Sequence, residues 1–285
     1  MTGYDSRACH LGEGPLWHPV RQELFWFDIL GRRLLSRSGK NHQEWHLAED
    51  HSAAGWIDEQ TLLLASETAL WRFDIATAQK TKLIALDADN PVTRSNDARA
   101  DPWGGFWIGT MGKNAEPQAG AIYRFYQGAL KELVKHISIS NAICFAPDRS
   151  CAYYSDTLTR QIMRQPLNAA DGWPSGAAEV FIDLNATRLN PDGAVTDARG
   201  NLWVAMWGSS CVICFATDGR EINRIPVPAR QPTCPAFGGS DLCDLYVTSA
   251  QQGLSDDILK TAPLNGTTFV FKDVAQGIAE PQVIL

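Results

Sequence analysis

Four oxygen-bearing side chains recur along the 285-residue chain at spacings that suggest chemistry: Glu13, Asn96, Asn141 and Asp192. Each opens a short apolar run beside a turn, as in Gly12-Glu13-Gly14-Pro15, Ser95-Asn96-Asp97, Ser140-Asn141-Ala142 and Pro191-Asp192-Gly193. With Ala54 and Thr233 in two weaker copies, the intervals along the series are 41, 42, 45, 51 and 41 residues. If these positions converge, two carboxylates and two carboxamides share one small volume, where like charges repel and polar groups lack water. A bound divalent cation resolves that conflict, and an all-oxygen donor set selects a hard or borderline ion. Taken singly, each segment is also an ordinary turn sequence. It is their common register that favours a pocket.

The elements that must position them repeat. Gly14-Pro15-Leu16-Trp17 leads to Leu24-Phe25-Trp26-Phe27-Asp28, and Asp97-Ala98-Arg99-Ala100-Asp101 leads to Gly105-Phe106-Trp107-Ile108-Gly109. Ala142-Ile143-Cys144-Phe145 leads to Cys151-Ala152-Tyr153-Tyr154-Ser155-Asp156, and Gly193-Ala194-Val195-Thr196-Asp197 leads to Asn201-Leu202-Trp203-Val204-Ala205. Weaker copies begin at Gly55 and Cys234. A period of about 40–50 residues built of short strands and tight turns marks a propeller blade. The expected fold is therefore all-β: a six-bladed β-propeller of about four antiparallel strands per blade, residues 1–285 forming one domain. A pair of β-sandwiches fits the regular spacing less well. The segment before Glu13 and the C-terminal Gln282-Val283-Ile284-Leu285 are expected to pair within one blade and so hide the sheet edges. Trp26, Trp107 and Trp203 fall at matching places in the repeat, which reads as packing between blades. Trp207 is the candidate for a place on the pocket rim.

Bulk properties narrow the partners. The formal charge of −7 gives no basic face for nucleic acid and argues against anionic membrane surfaces. No apolar stretch approaches the roughly 20 residues that cross a bilayer, and the N-terminus lacks a signal-peptide pattern, so a cytoplasmic protein is expected, and a closed propeller is expected to be a monomer. Seven scattered cysteines suggest free thiols rather than a disulfide framework. Cys211 and Cys214 have C-x-x-C spacing, but on a strand they would point to opposite faces, and no second such pair completes a zinc site. The six histidines sit in no metal-binding spacing; His51 is expected at the surface rather than near the pocket. No G-x-S-x-G elbow is present.

Leu11-Gly12-Glu13-Gly14-Pro15-Leu16-Trp17 resembles the opening motif of the SMP-30/gluconolactonase/regucalcin-like family. Arg94-Ser95-Asn96-Asp97 with Gly109-Thr110-Met111, then Ser140-Asn141-Ala142, then Pro191-Asp192-Gly193 with Leu202-Trp203-Val204-Ala205, resemble its later motifs in the family's order. The resemblance implies a six-bladed propeller and one divalent metal (Ca2+, Zn2+, Mn2+ or Fe2+) on Glu13, Asn141 and Asp192. It also implies substrate contacts from Arg94 and Asn96, and proton transfer by Asp192. Where animal members resemble Gly-Thr-Met followed three residues later by a substrate-touching Glu, this chain has Asn114, so its lid is expected to differ. Gly112-Lys113-Asn114-Ala115-Glu116-Pro117 is more similar to bacterial sugar-lactonase members.

The expected activity is hydrolysis of a sugar (aldono-)lactone to the aldonic acid, a carboxylic-ester hydrolysis of carbohydrate catabolism. The rival readings are a metal-dependent phosphotriesterase or aryl-esterase, a calcium-binding regulatory protein without turnover, and an interaction platform. The last would place small or apolar residues at the axis, which Glu13 and Asp192 contradict.

Overall fold

The computed structural model describes residues 2–285, and in it six four-stranded antiparallel sheets stand around a common axis as a six-bladed β-propeller. Blades I to VI begin with the innermost strands Gly12–His18, His51–Asp58, Thr93–Ala100, Ser140–Phe145, Asn190–Thr196 and Pro232–Gly238. These strands are buried along most of their length because neighbouring blades cover both faces, which selects small and apolar residues. Outer strands such as Asn41–His46 and Glu221–Pro226 face water and are polar. The one helix among the described residues, Asp256–Thr261, lies in the link between the second and third strands of blade VI.

Apolar clusters fill the wedges between blades, where the repeated aromatics meet across sheet boundaries. Trp107 of blade III meets Phe145 of blade IV edge-on at 5.4 Å between ring centres, and Trp203 of blade V meets Phe237 of blade VI at 6.1 Å. Trp17 of blade I stacks on Tyr246 of blade VI at 5.3 Å. Cys211 and Cys214 fall in different clusters on opposite faces of their strand, as the alternation of a strand requires. Turn aspartates punctuate the repeat. Asp101 Oδ1 accepts from the backbone N–H groups of Trp103 and Gly105, and Asp197 Oδ1 from those of Arg199 and Asn201. Among the described residues no helix is long and apolar enough to cross a membrane.

Ring closure differs from expectation in one half. The N-terminal strand Thr2–Asp5 pairs with Thr268–Phe271 as the outermost strand of blade VI. Residues 282–285 join no sheet. The tail beyond Phe271 instead crosses the mouth of the axial channel where the innermost strands end. It leaves blade VI at Val274 N–H to Cys243 O and accepts from Ala198 N–H of blade V on Gln276 O. It ends with Val283 N–H on Trp56 O and Ile284 N–H on Gly104 O, both at 2.8 Å. Pro281 removes a donor from any strand ladder here. The absence of a side chain on Gly55 leaves room for Val283, which a Cβ there would strike.

Candidate metal centre and active site

Near its start each innermost strand breaks its ladder. The register slips between Glu13 and Leu16, Ser95 and Ala98, Asn141 and Cys144, Pro191 and Ala194, and Pro232 and Pro235. A bulge bends the strand and re-aims the side chains beside it. In blades I and IV the residue after the candidate ligand is left-handed, Gly14 at φ 55° and Ala142 at φ 54°. Glycine takes that conformation without strain, and a Cβ at Gly14 would also strike the Ser52 carbonyl oxygen.

These bulges bring the predicted residues together. Glu13, Arg94, Asn96, Asn141 and Asp192 are all buried and all line one cavity of about 600 Å³ at the mouth opposite the C-terminal tail. Ala54 and Thr233 do not line it: Ala54 packs into the core, and the Thr233 hydroxyl donates to Gly12 O at 2.6 Å. In blade II the slip falls between His51 and Ala53, leaving Ser52, which donates to Ser95 Oγ at 2.8 Å.

A relay of hydrogen bonds fixes the polar wall across three blades. Arg94 Nη1 donates to Asn96 Oδ1 at 2.7 Å and to Ser95 O at 2.8 Å. Asn96 Nδ2 donates to Asn141 Oδ1 at 3.0 Å and to Ser140 O at 2.8 Å. Asn141 Nδ2 donates to Thr157 Oγ1 at 2.8 Å, and that hydroxyl donates to Pro191 O at 2.7 Å. The amide orientation of Asn141 is thereby set, with one lone pair of Oδ1 still free.

The carboxylates are under-supplied. Glu13 Oε2 accepts from Gly14 N–H at 2.9 Å, and among the described residues no side chain donates to Glu13 or Asp192. Burial, then the neighbouring Asp97 carboxylate, pushes Glu13 up to about 8. Burial, then Glu13, pushes Asp192 well above the usual carboxylate range. Among the described residues Arg94 is the buried cation whose charge opposes both shifts, and burial lowers its own pKa. Two buried acids, each raised by burial and by a neighbouring carboxylate, plus a free carboxamide lone pair, are the donor chemistry of a site for a divalent cation. Among the described residues no three His, Cys, Asp or Glu side chains gather as a metal cluster, so the set depends on its amide oxygen.

The remaining wall is divided. Leu11, Met111, Ile139 and Trp207 give an apolar side, with Trp207 at the rim as expected, while Lys113, Asn114, Gln231 and Gln252 give a polar one. Asn114 belongs to a loop that Glu116 ties back, its Nδ2 donating to Glu116 Oε1 at 3.0 Å. Lys113 is held by Glu67 of blade II at 2.5 Å.

Residues 11–251 match the family model described as SMP-30/Gluconolactonase/LRE-like region. The chain belongs to this family. Within the SMP-30/gluconolactonase-like proteins it is 35% identical to the L-arabinolactonase of Azospirillum brasilense, over 94% of this chain and 90% of that one. It is 32% identical to the 6-deoxy-6-sulfogluconolactonase of Pseudomonas putida, over 95% and 94%. A crystal structure of regucalcin, a calcium-binding protein of Agrobacterium tumefaciens, superposes with a TM-score of 0.97 at 41% identity, covering 99% of this chain and 97% of that one.

Two further residues in this SMP-30-like centre were given no role by the motif reading. The bulge in blade IV frees the backbone groups of Ile143 from the ladder. Its N–H is taken by Asp97 Oδ2 at 2.7 Å and its carbonyl by Arg99 Nε at 3.3 Å. Asp97 was legible only as a turn residue, because its acceptor role depends on a backbone group 46 positions away. The signal available was an acid and a base within the innermost strand, where every side chain is buried.

His51 is a correction: it is neither at the surface nor on the cavity wall, but 1% exposed beneath blade II. Its Nδ1 donates to Glu49 O at 2.9 Å and its Nε2 accepts from Lys80 at 3.1 Å. Burial, then the Lys80 charge, holds it down to about 4 against the ordinary 6.5. Between those pH values the unfolded chain binds a proton that the fold excludes. The contribution is thus complete above pH 6.5 and lost as pH falls toward 4. Wild type is expected to lose about 2–3 kcal/mol more than His51→Gln between pH 7 and 4, a difference that denaturant melts at the two pH values would measure.

Proposed function

We propose that this chain hydrolyses a sugar (aldono-)lactone to the corresponding aldonic acid in carbohydrate catabolism, with one divalent cation held by Glu13, Asn141 and Asp192. The observation that carries the reading is the meeting of Glu13 and Asp192, from blades I and V, in one buried cavity with no side-chain donor to either. The lactonase names of relatives that align over nine-tenths of the chain support the same chemistry.

A cation held there would supply Lewis acidity toward the lactone carbonyl and counter the charge that develops on its oxygen. Asp192, ionised beside a cation, accepts a proton from the water that adds to the carbonyl carbon. As the bond between that carbon and the ring oxygen breaks, Asp192 returns the proton to the ring oxygen, giving the hydroxy acid. Arg94 spends Nη1 on Asn96 and Ser95, so its remaining N–H groups are free for substrate oxygens. Asn96 locks that guanidinium against Asn141 and orients the substrate beside it. Trp207 offers a flat apolar surface to the carbon face of a sugar ring. A lactone is already an activated ester, so a Ser-His-Asp set is not required.

The likeness to a calcium-binding regucalcin favours a second reading, cation binding without turnover. One experiment separates the two. Metal-stripped protein is assayed by proton release on gluconolactone, arabinonolactone, xylonolactone and galactonolactone, with Ca2+, Zn2+, Mn2+ or Fe2+ returned one at a time. The expected result is background rate after stripping and restored rate with at least one ion on at least one lactone. Cation binding with no turnover across the panel would select the second reading. Full turnover by metal-free protein would refute the metal-dependent mechanism.

A further inference from the structure

On the far side of the axis, below the cavity, Arg99 extends from blade III and bridges three other parts of the molecule. Its Nε donates to Ile143 O of blade IV at 3.3 Å, its Nη2 to Ala194 O of blade V at 3.1 Å, and its Nη1 to Glu280 of the C-terminal tail at 2.7 Å. Ile143 and Ala194 each lie two residues beyond a candidate ligand, Asn141 and Asp192, and they mark the bulges that present those ligands. Arg99 therefore ties together the two bends on which the spacing of these ligands depends. Nothing else in the pair is idle: both side chains are nearly excluded from water, 8% and 14% exposed, so each is the other's charge partner. The tail brings Glu280 there by fixed bonds, since Trp56 Nε1 donates to Glu280 O at 2.8 Å and Val283 N–H to Trp56 O at 2.8 Å.

We propose that the C-terminal tail is part of the cation site: Glu280 is a positioning residue that fixes Arg99 across the axis, and Arg99 in turn holds the bulges that present Asn141 and Asp192. The inference rests on the cation-site reading above. Loss of the Glu280 charge acts in one direction by two routes. The arginine loses its anchor, so the two bulges relax apart. Its positive charge, no longer cancelled, also bears on a cation bound above it. Outer groups that hold metal ligands commonly matter by ten- to a hundredfold in affinity.

The test is calorimetric titration of Ca2+, and separately Zn2+, into metal-stripped full-length protein, with thermal melts alongside. In E280Q the dissociation constant is expected to rise about tenfold, measured well below the melting temperature, whereas Gln282→Ala on the same tail leaves it unchanged. A purely structural pair would lower the melting temperature of E280Q but leave the affinity of the folded protein as in wild type, and that result would overturn the proposal. Should E280Q not fold, Glu280→Asp carries the test. It keeps the charge at shorter reach, and about threefold weaker binding is expected; wild-type affinity there overturns the proposal. If the wild type itself binds neither ion, the titrations are repeated with Mn2+ and Fe2+; binding of none of the four overturns the cation-site reading and this inference with it.

Discussion

Asp192→Asn is expected to lower kcat/KM for aldonolactone hydrolysis about a thousandfold or more while leaving the metal-free protein at least as stable as wild type. The two halves of that result have one cause. In the metal-free fold Asp192 is buried, faces Glu13 and Asp97, and receives no side-chain hydrogen bond, so its charge is disfavoured there. An amide of the same shape removes that repulsion at no packing cost. The amide cannot accept a proton from water, a role worth about 10²–10⁴ in rate, and it is also a poorer cation ligand. Initial rates by proton release and melts in excess chelator measure both. Wild-type turnover in Asp192→Asn would remove this residue from the mechanism. A large drop in the chelated melt would mean that its carboxylate has a structural partner after all.

The largest effect on stability is expected from Asp101→Asn, about 3–5 kcal/mol, or on the order of 10 °C in melting temperature. Asp101 and Arg124 are both fully excluded from water and paired at 2.6 Å. The guanidinium is covered by the rings of Tyr126 at 4.3 Å and Trp173 at 4.6 Å, and its Nη atoms have no hydrogen-bond partner. The carboxylate is thus its sole charge compensation. Asparagine can still accept from Trp103 and Gly105 through one oxygen, so the turn survives and the change isolates the charge. The double variant Asp101→Asn/Arg124→Met is expected to regain much of the loss, because removing both charges leaves none buried alone. Melts of the single and double variants decide the matter; equal losses in the two would point to packing around Arg124 instead.

The SMP-30-like fold was legible because its signals are local. Strand alternation, turn aspartates and a period near 40 residues repeat within each blade, and blade number follows from counting. Four of the six in-register positions, Glu13, Asn96, Asn141 and Asp192, do line the cavity, since equivalent positions of a closed ring must converge. The exceptions are instructive. Ala54 misses the cavity because the slip in blade II falls at Ser52 instead, whereas Thr233 sits in the bulge of its own blade but turns its hydroxyl to Gly12 O. Bulges are one- or two-residue offsets between strands, which a single strand's sequence does not encode.

His51 and the C-terminal tail show the same limit. A histidine between polar residues reads as exposed, yet Lys80, 29 positions later, folds over it. Gln282-Val283-Ile284-Leu285 reads as an edge strand, yet Val283 fills the space over Gly55 and the chain before it lies across the channel. By itself the sequence determined the architecture, the blade count and the side chains gathered at one mouth of the axis, because each follows from patterns within about 50 residues. Only the tertiary structure decided that Asp97 and Arg99 brace the bulges and that Glu280 closes the axis from beneath. Those bonds join side chains to backbone groups 44 to 95 residues away, or to a carboxylate 181 residues away, and such partners become neighbours only when the blades close into a ring.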